Sequence, residues 1–317
     1  MRTLRIRPMN VTVRQNTRAG RLFTPEVLAP GIPKTPAHNL VDKGGRTIRS
    51  LTYANFYVGG DASWKQTDRD NIDKSLAAAM TDAQLSDVMS QYFSGPIETT
   101  FRESRVLSGA KPHLVTKASI ERSVRKLQKD GQFKGYELAS TVFNFLLPSG
   151  TTLQDDDAPK ASDGTADERG ERAGIPFEED ASSLEGLGGY HGSVHVTAGG
   201  QATVYYAVGV FSELLANGRE NGIVAFDEPW KNVVATFYHE LCEARTDPDV
   251  EDVIKGILPE SALGWVSAQG EECGDFPVFE AEPNLGKVFK EIKLANGMVV
   301  PVQLQYSNRD NGPGQPK

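Results

Sequence analysis

Apolar and polar positions alternate along several stretches of the chain, and each alternation predicts a strand. Residues 51–58 alternate as a half-buried strand does, and residues 136–147 are the most apolar strand candidate. Two further pairs of alternating runs predict hairpins, one around Ala198-Gly199-Gly200 and one around Asn296-Gly297. The second of these is expected to have a two-residue turn.

Apolar positions recur at helical spacing in other stretches of the chain. These stretches are residues 64–80, 82–92, 117–131 and 229–246. Asp82 suits the start of the second helix and Gly131 the end of the third. Pro248 ends the fourth helix, because the residue before a proline is driven out of helical geometry. The mixture of strands and helices predicts an α+β fold with a mixed sheet.

Three segments lack this periodicity. Residues 1–46 are rich in Arg, Pro and Gly, which predicts a basic, flexible N-terminal arm. Asp, Glu, Ser, Gly and Ala dominate residues 151–187, a composition that cannot bury enough apolar area to offset its ordering entropy. We expect a disordered acidic insertion there and a disordered tail at 308–317. A single interrupted domain at 47–307 accounts for the remainder.

The net charge of −8 is concentrated in one part of the chain. Residues 155–185 hold eleven acids and three bases, so the rest of the chain is roughly neutral, which argues against nucleic-acid binding. No apolar run is long enough to span a membrane, and the arginine-rich start lacks the apolar core of a secretory signal. We therefore expect a soluble protein without a signal peptide and favour the cytoplasm, while the sequence leaves the oligomeric state open.

The fourth predicted helix carries the pentad His-Glu-Leu-Cys-Glu at residues 239–243. His239 and Glu243 are four apart and share one helix face, and imidazole nitrogen and carboxylate oxygen are both good zinc ligands. Glu240 occupies the position of the general base in His-Glu-x-x-His peptidases. The pentad therefore offers two metal ligands and a base, although it also suits an amphipathic helix that binds no metal.

The best source of a third ligand is the glycine-rich segment at residues 264–275. One of its carboxylates can complete the site while another orients His239 through the free ring N–H. We favour Glu272 as the ligand and Asp275 as the orienting residue, with the reverse assignment open. Asp247, at the end of the motif helix, is a rival ligand.

Two further pairs of residues bear on the site. His191 and His195 lie four apart in a region interpreted as strand, too far from each other to chelate one ion. We interpret His191, in a glycine-rich turn, as a candidate transition-state donor. Cys242 and Cys273 lie beside the two ligand clusters, so they are candidates for a disulfide, a thiolate ligand or two unrelated buried thiols.

The stretch "YHELCEARTDP", followed by Gly264-Trp265 and then "EECGD", resembles the phosphate-induced, EXORDIUM-like proteins of plants and their bacterial and fungal relatives. The resemblance covers residues 50–275 in outline and is specific over about 40 residues. It implies a zincin-like metallopeptidase architecture with a metal site at His239, Glu243 and a later acid. The relatives are often secreted, and this chain departs from them in Cys242, Arg245 and the long acidic insertion.

The leading hypothesis is a zinc-dependent hydrolase, a metallopeptidase acting on a peptide or protein substrate. The hairpin at residues 193–207 is expected to offer the edge strand on which an extended peptide docks. The alternative is a non-catalytic binding or signalling protein that keeps a structural metal. A carboxylate-rich site would also suit another divalent cation, such as calcium or manganese.

Overall fold

The computed structural model describes residues 11–12, 32–155, 182–196, 202–314 and 316. The strands in these ranges are β1 (Val11–Thr12), β2 (Val41–Asp42), β3 (Ser50–Tyr57), β4 (Glu98–Val106), β5 (Leu114–Thr116), β6 (Thr141–Leu146), β7 (Thr152–Gln154), β8 (Leu187–Val196), β9 (Ala202–Gly209), β10 (Glu213–Leu214), β11 (Glu220–Asn221), β12 (Trp265–Val266), β13 (Phe289–Lys293), β14 (Val299–Gln303), β15 (Tyr306–Ser307) and β16 (Gly312–Pro313). The α-helices are α1 (Gln66–Thr81), α2 (Ala83–Ser90), α3 (Lys117–Lys129), α4 (Pro229–Thr246), α5 (Val250–Ile254) and α6 (Asp275–Ala281). Among these helices, none is both long and apolar enough to cross a membrane.

The main sheet has the strand order β1-β8-β9-β6-β3-β4. Strands β9, β6, β3 and β4 run parallel, whereas β8 is antiparallel to β9 and β1 is antiparallel to β8. This mixed sheet and the surrounding helices confirm the predicted α+β fold with a mixed sheet.

Both faces of the central strands are covered. On β3, Tyr53 and Tyr57 pack with α1 and α4, while Ala54 and Phe56 pack on the opposite face with Val124 of α3. The prediction of a half-buried strand at residues 51–58 is therefore wrong in one respect, because a strand inside a parallel sheet has helices on both sides.

Helix α4 lies in the middle of the protein and carries the pentad. It begins at Pro229 and ends at Thr246, as predicted, and every residue from Asn232 to Thr246 is buried. The sheet strands β8 and β9, helix α1 and strand β14 surround it. A helix that is buried on all sides places the charged side chains of the pentad inside the protein, where they must find partners.

Most of the other predicted helices and turns are present. Asp82 caps α2 by accepting the backbone N–H groups of Gln84 and Leu85, and Gly131 follows α3 with φ +72°. The hairpin at Asn296-Gly297 is also present, but its turn is longer than two residues. The last β13–β14 strand pair joins Lys293 to Val299.

The non-periodic segments contain more structure than their composition predicts. In the N-terminal arm, β2 pairs with β12 and β1 pairs with β8, while residues 1–10 and 13–31 lie outside the described residues. Residues 156–181 of the acidic insertion also lie outside them. At the start of the insertion, however, β7 pairs with β5, and after the gap the buried Ser183 hydroxyl accepts the N–H of Leu153.

The tail departs from the prediction in the same way. It was expected to be disordered from residue 308, but β16 pairs with β15. The Asn308 side chain also donates to the backbone carbonyl of Leu40 and accepts its N–H. The polar residues of this segment are used to bind backbone groups of the N-terminal arm rather than water.

The hairpin predicted at residues 193–207 forms from β8 and β9, but its edge is occupied at Leu187, Gly189 and Ser193. Strand β9 lies inside the sheet, and β8 pairs with β1 at Leu187 and Gly189. Farther along β8, the N–H of Ser193 donates to the Glu251 carboxylate. A peptide could add to this edge only by displacing contacts that the protein already makes.

Candidate metal centre

His239 and Glu243 face each other across one turn of α4. His239 Nε2 lies 3.0 Å from Glu243 Oε2, and both residues are at most 1% exposed. The two atoms form a close ion pair, and neither has another hydrogen-bond partner among the described residues. An imidazole nitrogen and a carboxylate oxygen this close together can also bind one cation in common.

Strand β14 fixes the orientation of the His239 ring. Gln303 places its Oε1 2.6 Å from His239 Nδ1, and its amide nitrogen donates to the carbonyls of Gly274 and Leu304. Because the Gln303 nitrogen donates to these carbonyls, its oxygen must face the ring and accept a hydrogen bond from Nδ1–H. Nε2 is thereby left to bind a ligand.

The orienting role predicted for Asp275 therefore belongs to Gln303. Asp275 is the first residue of α6, and its carboxylate accepts the backbone N–H of Glu272. The sequence carries one signal for this arrangement, since an acid that begins a helix commonly accepts a nearby backbone N–H. No local signal indicates Gln303, which lies 64 residues from His239 in the chain.

Gly274 connects the downstream segment to both predicted ligands of α4. Its N–H donates to Glu243 Oε1 at 2.9 Å, which turns Oε2 toward His239. A Cβ on Gly274 would lie 2.4 Å from the His239 ring, closer than any side chain can approach. The predicted contact between residues 264–275 and the pentad is thus present in the structure, and it requires a glycine at position 274.

Glu272 is better placed than the other acids to complete a metal site. Its side chain is buried, and neither of its carboxylate oxygens has a hydrogen-bond partner. Burial, followed by the charges of Glu243 and Asp247, raises its pKa well above the usual range. Asp247 has an unpaired Oδ2, but its Oδ1 accepts the N–H of Gly264 and it belongs to neither group of closely spaced ligand atoms. Burial raises the pKa of Asp247 to about 7.

His191 also belongs to the cluster, but it lies in strand β8 rather than in a turn. Its Nδ1 lies 3.3 Å from Glu240 Oε2 and 3.8 Å from Glu243 Oε2, and its Nε2 lies 3.8 Å from Glu272 Oε1. Burial lowers the pKa of His191, but the hydrogen bond to Glu240 and the nearby carboxylates outweigh burial and raise it.

The glycines that suggested a turn around His191 serve another purpose. A Cβ on Gly189 would lie 2.5 Å from the carbonyl oxygen of Val208, and one on Gly192 would lie 1.9 Å from the Glu251 carboxylate. They let β8 approach its neighbours closely, as glycine does within strands. His195, farther along the same strand, is half-exposed and contacts Asp252, so it takes no part in the cluster.

The charges of the cluster are unbalanced. Three buried glutamates, at positions 240, 243 and 272, are accompanied by two imidazoles. Burial alone would lower the pKa of His239, yet Glu243 and Glu240 outweigh it and raise the pKa to about 10. Burial raises the pKa of Glu240 as well. In the metal-free protein, His239 thus acts as a counter-ion to these carboxylates, and a divalent cation could take its place.

The donor set fits zinc. Ligand atoms of His239, Glu240 and Glu243 lie within 4.8 Å of one another, and so do those of His191, Glu243 and Glu272. Imidazole nitrogen with carboxylate oxygen is the donor combination of many zinc sites, and it also accommodates manganese. Both groups share Glu243, which places this residue at the centre of the cluster.

The two cysteines are free and buried. Burial raises the pKa of Cys242 to about 12, and Cys273 donates to the Gln305 side chain. Thiols with such pKa values stay protonated and make poor metal ligands. Of the three earlier interpretations, two separate buried thiols agrees best with the structure.

The cluster is enclosed in this conformation. His239, Glu240, Glu243, Glu272 and His191 are each at most 2% exposed. Among the cavities that open at the surface of the described residues, two have volumes of about 760 and 450 Å³, and neither of these is lined by a residue of the cluster.

Comparison with known proteins returned no match to a family model, to a curated protein or to a solved structure. The resemblance to the EXORDIUM-like proteins therefore rests on the motif residues alone.

Proposed function

We propose that the protein is a zinc-dependent hydrolase, with a peptide or protein as its substrate. His239, Glu243 and Glu272 would hold the ion. The observation that carries the proposal is the set of buried nitrogen and carboxylate oxygen atoms on these three side chains that make no hydrogen bond. Glu243 lies close to His239 and belongs to one group with Glu272, and burying such atoms without a cation is costly, which supports a bound ion.

Zinc, when bound, polarises a substrate carbonyl and lowers the pKa of a coordinated water. Glu240 would act as the general base, because its Oε1 has no hydrogen-bond partner and it lies beside His239 and Glu243. His191 is the donor that we assign to the developing oxyanion, since its ring lies within the cluster against Glu240 and Glu272.

Enclosure of the cluster favours a second candidate function. A metal held by His239, Glu243, Glu272 and His191 with no open position would be structural, in a binding or signalling protein. Ligand atoms of His191, Glu243 and Glu272 lie within 4.8 Å of one another, which is compatible with His191 acting as a fourth ligand.

Metal analysis of the purified protein tests the shared part of both proposals. We expect about one zinc per chain, lost in Glu243→Gln and His239→Gln and retained in His195→Gln, a half-exposed histidine outside the cluster. Absence of metal from the wild-type protein, even after incubation with zinc or manganese, would contradict both.

Hydrolysis of a quenched fluorescent peptide library then separates the two. The hydrolase proposal predicts that Glu240→Gln keeps its metal and loses roughly 10²- to 10⁴-fold in rate. Retained metal with no hydrolysis that depends on Glu240 would leave the structural metal as the better interpretation.

A further inference from the structure

The larger surface cavity, of about 760 Å³, lies at the carboxyl ends of the four parallel strands. Its lining comes from the segments that follow β3, β4, β6 and β9, and from the first residue of α4. In open sheets of parallel strands, this edge is where ligands bind, and the volume is that of a small-molecule site.

Backbone contacts hold the walls of this cavity together. Gly60, with φ +75°, donates its N–H to Leu107, and a Cβ on it would lie 2.9 Å from the carbonyl of Gly109. On the other side, Glu213 accepts the hydroxyl of Ser149 and the N–H of Gly150. The segments after β3, β4, β6 and β9 are therefore linked in pairs, and the cavity exists before any ligand enters.

One wall of the cavity is aromatic. Trp64 and Phe211 are 9% and 7% exposed, and their rings meet edge to face with centroids 5.8 Å apart. The indole N–H of Trp64 donates to the carbonyl of Val58, which fixes the ring. A fixed aromatic surface of this kind accepts a flat apolar group at little entropic cost.

Two lysines and two carboxylates line the cavity. Lys65 and Lys111 are exposed, and neither side chain forms a hydrogen bond or ion pair with the part of the chain that the structure describes. Of the two carboxylates, Glu213 already accepts two hydrogen bonds, and Asp68 lies in the first turn of α1, beside the positive end of the helix. The uncommitted donors are thus the two ammonium groups.

We propose that this cavity binds a small organic anion, a phosphate ester or carboxylate carried on a flat apolar body. The anionic group would lie between Lys65 and Lys111, and the apolar body against Trp64 and Phe211. Pro229 lines the cavity at one end of α4, and His239 lies ten residues farther along, about 15 Å away at the rise of a helix. The site is therefore separate from the metal centre, and its test does not depend on a metal.

The test is a titration with phenyl phosphate, followed by calorimetry and by tryptophan fluorescence in chelator. Benzylamine is the matched control, because it presents a similar ring with the opposite charge. We expect saturable binding of phenyl phosphate with a Kd of roughly 1 mM or below, and no saturable binding of benzylamine. Benzoate in place of phenyl phosphate distinguishes a carboxylate from a phosphate site, and binding of either anion supports the proposal.

Variants identify the binding residues. Lys65→Gln and Lys111→Gln should each weaken binding about tenfold, whereas Lys134→Gln, an exposed lysine outside the cavity, should bind as the wild type does. Trp64→Phe should lose most of the fluorescence change and keep the calorimetric signal. The melting temperature of each of the four variants shows whether that variant is folded.

Three results would overturn the proposal. They are benzylamine binding as tightly as phenyl phosphate, no saturable binding of either anion, and equal affinity in the two cavity-lysine variants and the Lys134 control.

Discussion

Comparing Gln303→Leu with a matched control variant separates the orientation of His239 from the stability of the fold. The substitution removes the oxygen that accepts the Nδ1 proton of His239 at 2.6 Å, and the amide that donates to Gly274 and Leu304. A buried donor or acceptor left without a partner costs about 1–3 kcal/mol, so the metal-free protein should be destabilised by at least this amount. Loss of such a partner of a metal-bound histidine lowers metal affinity by roughly 10- to 100-fold.

Gln305→Leu is the matched control. Gln305 is buried two residues away, accepts from Cys273 and donates to the backbone carbonyl and to Oε1 of Gln303, so it acts on His239 only through Gln303. We expect the two variants to lose similar stability in urea unfolding with chelator, and Gln303→Leu to lose more zinc affinity than Gln305→Leu in competition with a fluorescent chelator. Equal zinc affinities in the two variants would refute the assigned role of Gln303.

Three further predictions follow from the cluster. Gly274→Ala should destabilise the protein by about 1–3 kcal/mol and abolish metal binding, because its Cβ would lie 2.4 Å from the His239 ring; thermal unfolding with and without zinc measures both effects. The raised pKa of His239, about 10 against an ordinary 6.5, adds stability to the metal-free protein that is complete below pH 6.5 and is lost as the pH rises toward 10, so urea unfolding in chelator should show lower stability at pH 9 than at pH 6. Zinc must displace protons from His239 and Glu272, so calorimetry in buffers of different ionisation enthalpy should show proton release on binding, and zinc affinity that does not rise with pH would contradict this assignment.

The local part of the site could be predicted from the sequence. His239, Glu240 and Glu243 lie within two helical turns, and the period of a helix determines which of them share a face. The boundaries of α4 follow from Pro229 and Pro248 by equally local chemistry. These are properties of short stretches of chain, which composition and spacing express directly.

The remainder of the site depends on contacts between distant segments. Gln303 reaches His239 from 64 residues away, and no periodicity connects the two. His191 was interpreted as a turn residue because glycines precede and follow it, whereas those glycines allow close packing of β8. The choice between Glu272 and Asp275 likewise depends on which carboxylate the backbone has already used, and that is visible only in the folded chain.

Contacts between distant segments also explain why the prediction of a disordered tail from residue 308 is wrong. Residues 308–314 have the composition of a disordered tail, yet Asn308 binds the backbone of Leu40 and β16 completes a hairpin. Polar composition predicts contact with water, but it does not exclude contact with the unpaired backbone groups of another segment.

Gly274 and Glu243 meet across 31 residues of chain, and this contact marks where a loop is closed. A cation shared by Glu243 and Glu272 would turn that contact into a cross-link around roughly 30 residues, which by the entropy of loop closure in the unfolded chain corresponds to about 3–4 kcal/mol. The ion would then stabilise the fold as well as take part in the reaction. Chelation should loosen residues 247–271 before the rest of the protein, which hydrogen exchange at the backbone amides of α5 and β12 would record.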